Sequence, residues 1–216
     1  MRFQTGIGEG GKGCEMFSKP YDNTATGMSK RYFKLYQTKD GSCQIATPKY
    51  DTWKWNFELI QCNPILDWPA DATVVLTADR RSDIADLPWF VGDGTFASKR
   101  FCDLAIDIGK DQVQLLPVKT ELDGLDESQT HSSYSVVNWL RKVDCLHREL
   151  AGFGTHPKYG FETAQSYVLD ESLIPDDAIV FRVKHKPTAL VVREDFLEKL
   201  SSHSITGWDT MEKEIG

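Results

Sequence analysis

What this chain lacks excludes several classes of function. No apolar stretch approaches the length of a membrane span, and no apolar core of a signal peptide follows Arg2. The expectation is a cytoplasmic protein that stays where it is made. Positive charge is in deficit: 25 Lys and Arg against 32 Asp and Glu leave a formal charge of -7, with a pI near 5.3. Phosphate-rich partners demand a basic face, so neither nucleic acid nor an anionic membrane is an expected partner. Cysteine is too sparse for a disulfide framework. The five (Cys14, Cys43, Cys62, Cys102, Cys145) are odd in number, widely spread and without a C-x-x-C, which fits reduced thiols.

Metal and cofactor signatures are also missing. His131, His147, His156, His185 and His203 show neither H-x3-H nor H-E-x-x-H, and Cys145-x-His147 is too small for a site. Gly6-x4-Gly11-Lys12-Gly13 imitates a phosphate-binding loop, and Gly6-x-Gly8-x-x-Gly11 a dinucleotide fingerprint. Only five residues precede Gly6, glycine follows Lys12 where magnesium needs Ser or Thr, and no helical pattern follows. Neither motif stands, and no cofactor is expected. A thiol hydrolase built on Cys145 and His147 would further need a depressed thiol pKa, an orienting group and an oxyanion hole, none of which the sequence signals.

What is present is a unit that occurs twice. The first copy is Trp89-Phe-Val91, then Ser98-Lys-Arg-Phe101 to Ile108, then Asp111 to Leu115. The second is Ala189 to Val192, then Arg193 to Leu200, then Ile205 to Trp208. Each reads as strand, short amphipathic helix, strand. Phe101, Leu104, Ala105 and Ile108 form one apolar stripe at helical period, repeated by Phe196, Leu197 and Leu200. The bland alternative is two elements that look alike by chance.

Residues 1–27, rich in glycine, read as a flexible tail, and 28–216 as one domain. Strands are expected over Met28–Tyr36, around Trp53–Ile60, over Asp71–Thr77, and over Ser135–Leu146, the longest. Gly152–Gly160 reads as a loop, and Lys184–Pro187 as a hairpin connection between Ala178–Val183 and Thr188–Val192. Strands outnumber helices, so the class is α+β with a mixed or antiparallel sheet. Asp79, Asp83 and Asp86, like Glu121, Asp123, Asp126 and Glu127, read first as solvated acidic loops, and otherwise as a patch for a basic partner. Trp89, beside the Gly92-Asp93-Gly94 loop, is the best candidate for an exposed anchor.

Three stretches resemble the immunity protein 11 family of bacterial polymorphic toxin systems. They are Phe90–Phe101 running on to Val118, Tyr134–Cys145 with its asparagine and Val-Asp-Cys, and Ile179–Val183 with Leu190–Trp208. Together they cover about residues 85–210. The resemblance implies a protein that binds and neutralises a cognate toxin encoded next to it, by stoichiometric inhibition and without catalytic residues. Asn138, Asp144 and Cys145 match its motif and are expected to satisfy the core. The expected toxin-facing residues are Trp89, Asp93, Asp123, Asp126 and Glu127. The rival classes are an enzyme, thiol-dependent or reversing a toxin's modification, and a small-ligand module. Oligomeric state is open.

Overall fold

The computed structural model describes residues 30–37, 45–49, 52–77, 84–123, 133–155 and 162–216, so the glycine-rich tail lies outside the described residues. The fold is α+β, with mixed and antiparallel sheets and short helices. Its centre is the duplicated unit. In the first copy the strand that enters helix α2 (Lys99–Gly109) is not the expected Trp89–Val91, whose Trp89–Phe90 forms β4 of another sheet, but β5 (Thr95–Ser98), buried at all four positions; α2 returns through a 3-10 turn to β6 (Val113–Pro117). In the second, β13 (Lys186–Arg193) runs into α3 (Glu194–Ser202) and returns to β14 (Trp208–Glu212).

Neither pair of unit strands is adjacent. Strand β8 (Tyr134–Trp139) lies between β5 and β6, antiparallel to both. Strand β1 (Tyr32–Gln37) lies between β13 and β14 in the same way. Each copy is therefore a split strand-helix-strand unit, its parallel outer strands separated by one antiparallel strand. One inserted strand comes from after its unit and the other from before it. Phe101 and Phe196, each the third residue of its helix, are both fully buried. Their rings meet edge to face at 6.3 Å, and both pack edge-on against Trp139. The two helices thus share one core between the three-stranded sheet β5-β8-β6 and the larger sheet β14-β1-β13-β12-β9, with β12 at Val180–Val183 and β9 at Lys142–Val143.

Both sheets are covered twice. The far face of β5-β8-β6 carries Phe96, Leu116, Tyr134 and Val136 into a second core, closed by α1 (Thr52–Gln61) and a four-stranded sheet in the order β4 (Trp89–Phe90), β2 (Ile45–Pro48), β3 (Thr73–Thr77), β7 (Lys119–Asp123). The far face of the larger sheet buries Tyr32, Phe181, Val183 and Val191 in a third, which includes Leu146 and Leu169. Double burial explains the near-continuous apolar runs of β5, β8 and β12. The hairpin is also present, with β12 and β13 joined by Lys184-His185.

Several expectations are corrected. Trp53–Ile60 lies in the helix α1, because Trp55 and Leu59, at i and i+4, pack into the second core while Phe57 is exposed. The long strand stops at Trp139 and resumes only at Lys142–Val143, so Asp144 and Cys145 lie beyond it. Within the expected loop after Gly152, Phe153–Thr155 is β10, paired antiparallel with β11 (Glu162–Ala164). Glu121–Asp123 is the end of β7 (Lys119–Asp123), not a loop.

Asp86 is the other correction. It is buried, and it clamps the two units together. Its carboxylate accepts from the Ser98 hydroxyl, the Arg100 guanidinium, and the backbone N–H of Thr206 at 3.0 Å. Ser98 in turn caps α2 by accepting from Phe101 N–H. Arg100 also donates to Ser204 O at 3.0 Å, and Leu87 N–H to Thr206 O at 3.1 Å. The turn after α3 is closed by Gly207, at φ +84°, where a Cβ would stand 2.4 Å from Leu87 O. Burial pushes the Asp86 carboxyl upward, but the donated hydrogen bonds outweigh it and hold the pKa below the usual carboxylate range.

Candidate functional site: an open sheet face and the groove beside it

The four-stranded sheet consists of β4 (Trp89–Phe90), β2 (Ile45–Pro48), β3 (Thr73–Thr77) and β7. Residues alternate across it. Ala46, Val74, Leu76 and Phe90 go into the second core, while the neighbouring rung points the other way. That outward rung runs Trp89, Ile45, Thr77, Asp123 in register across all four strands. Three strand spacings of about 4.8 Å place Trp89 and Asp123 roughly 14 Å apart, at opposite edges of one face. Val75, Thr47 and Glu121 share this face, and Glu121 is paired with Lys49. Among the described residues no element covers it.

Two of the five residues expected to meet a partner therefore share one surface. Trp89 is half-buried rather than a fully exposed anchor, and Asp123 is exposed. Asp93 lies off the strand, half-buried in a groove of about 290 Å³ between the 91–94 loop and the end of the larger sheet, and Trp89 lines the same groove. Burial raises the Asp93 carboxyl pKa against the pull of Arg182. Asp126 and Glu127 lie outside the described residues.

Arg182, on β12, is the groove's unusual group and was not expected from sequence. Only 3% of it is exposed. It donates to Asp93 O and Pro187 O, each at 2.7 Å, and its Nε has no partner. Burial lowers its pKa. Its guanidinium pins the 91–94 loop to the larger sheet. On its other side Gly94 lets the loop approach β8 closely, since a Cβ would meet Val136 at 2.7 Å.

Among the described residues no thiol is an activated nucleophile. Cys62, Cys102 and Cys145 are buried, and burial pushes Cys102 up to about 11 and Cys145 up to about 12. Asn138 is a core residue. Its amide donates to Asn63 O at 2.8 Å and to Gln114 Oε1 at 3.1 Å, tying the turn after α1 to the central sheet. Asp144 departs from the expected core role, being ion-paired with Lys184 at 2.9 Å and facing His185 at 3.2 Å. Among the described residues no cluster of His, Cys, Asp or Glu is arranged to hold a metal ion, and no helix is long and apolar enough to cross a membrane. No protein-family model matches this chain, and no curated protein matches it.

Proposed function

We propose that this protein is an immunity protein that neutralises a cognate bacterial toxin by stoichiometric binding. The resemblance of residues 85–210 supports the class. One observation supports the surface: Trp89 and Asp123 stand on a single outward rung of one sheet face. Strands of five residues at about 3.3 Å each, across roughly 14 Å, span only ~230 Å² of face. A specific interface takes about 800 Å² per partner, so the loops at both edges of the sheet must join it. Asp126 and Glu127 lie outside the described residues; their carboxylates would raise the association rate with a basic toxin cleft.

Co-expression with the product of the adjacent gene tests the reading. An inhibitor co-purifies with the toxin and rescues growth only near equimolar ratios. Rescue at trace amounts, abolished by Cys145→Ala, would establish the thiol enzyme instead. The buried, proton-retaining Cys145 argues against that outcome.

A further inference from the structure

Three lysines of this acidic protein converge on one aromatic ring. Lys34 lies on β1, Lys186 opens β13, and Lys213 follows β14, three adjacent strands of the larger sheet. Their ammonium nitrogens lie 5.6, 5.2 and 5.2 Å from the centre of the Tyr167 ring. A ring has two faces, so at least two of the three share one. Lys34 also lies 4.5 Å over Tyr36.

None of the three has a carboxylate partner among the described residues. All three are half-buried, whereas every other described lysine is exposed, apart from Lys30, which is ion-paired with Asp176. Burial lowers the Lys34 pKa with no anion to offset it. Cation–ring contacts orient these groups but leave their mutual repulsion uncancelled.

We infer that the Lys34–Lys186–Lys213 cluster around Tyr167 is a binding site for the phosphoryl group of a small phosphorylated molecule. Compact ammonium groups suit a multiply charged, roughly spherical anion. Lys34 itself lines the 290 Å³ groove, together with Tyr36 and Thr188. The groove therefore adjoins the cluster and gives room for the ligand's body. Its size fits a small molecule, and the chain's charge of -7 opposes a polyanion or an anionic bilayer. The inference is independent of toxin binding.

Titration calorimetry with inorganic pyrophosphate at low salt is the test, run on the full chain and on Lys34→Met, Lys186→Met and Lys213→Met singly and together. Methionine keeps the apolar stem, and circular dichroism checks the fold. Each single variant should weaken binding roughly tenfold, about the worth of one charge-assisted hydrogen bond, and the triple variant should abolish it. Lys99→Met and Lys110→Met, away from the cluster, should leave affinity unchanged. Equal affinity in the folded triple variant, or no saturable binding by wild type at millimolar pyrophosphate, overturns the site. Binding to phosphatidylserine vesicles without any binding of pyrophosphate also overturns it, in favour of a membrane-facing patch.

Discussion

Replacing Asp86 tests whether the two units are held together by one buried carboxylate. Asp86→Ala removes the acceptor for the Ser98 hydroxyl and the Thr206 N–H, each hydrogen bond to a charged group contributing about 1.5–3 kcal/mol. The Arg100 side chain is 54% exposed and turns to water when its partner is lost, so its pairing adds less than about 1 kcal/mol. The expected loss at neutral pH is about 3–7 kcal/mol, against a total stability of about 5–15 kcal/mol. For a chain of this size that lowers the melting temperature by about 6–28 °C.

Acid supplies the second half of the test. The folded Asp86 pKa is depressed, so its contribution is fully present above the unfolded value of about 3.9 and is lost as pH falls through the folded value. Urea titrations of wild type and Asp86→Asn should show a constant gap from about pH 5 to 8, narrowing below about pH 4. A gap under about 1 kcal/mol at pH 7, or one that does not shrink in acid, would show that Asp86 is an ordinary loop carboxylate.

Other outcomes follow from the same geometry. Phe101→Ala and Phe196→Ala should each destabilise by about 3–5 kcal/mol in denaturant melts, and the double variant should deviate from additivity because the rings touch. Asp93→Asn should stabilise slightly at neutral pH, by under about 1 kcal/mol, because its raised folded pKa makes the ionised form the unfavourable one. That gain should vanish in melts below about pH 4, where both forms are neutral. A thiol reagent should leave Cys62, Cys102 and Cys145 unmodified until urea unfolds the chain, so at most two of the five cysteines react in the native state.

Elements set by local pattern were legible in the sequence. The α2 and α3 stripes, the Lys184-His185 connection and the strand at Thr73–Thr77 all follow from the spacing of a few neighbouring residues. Helix α1 was misread because Trp53, Trp55, Phe57 and Leu59 alternate as a strand would. Only the burial of Trp55 and Leu59, with Phe57 exposed, reveals the helical face. Strand β7 was missed for the opposite reason: Lys119, Glu121 and Asp123 face outward and dominate its composition, while only Thr120 and Leu122 turn inward. Asp86 sits in an acidic stretch that reads as solvated, and its partner Thr206 is 120 residues away.

The charge distribution carries the same lesson into the sites. A net charge of -7 argues soundly against a polyanion partner, but it averages over the surface. Lys34, Lys186 and Lys213 are invisible as a group until the order β14-β1-β13 sets their strands side by side. Trp89 and Asp123 were paired on composition alone, yet what unites them is register: Trp89 to Ile45, Ile45 to Thr77, Thr77 to Asp123. A slip of one residue in any of those pairings would turn one of them into the core. Asp93, only four residues from Trp89, leaves that face because Arg182 draws its carbonyl toward the larger sheet. Charge reversal at Asp123 should therefore slow association with a basic partner at low salt, and less so at high salt, while leaving the fold intact. The same reversal at Asp93 adds a cation beside Arg182 and should destabilise the fold first. Equal stability of the two variants in denaturant melts, with equal loss of association rate, would place both carboxylates on the interface and refute this separation.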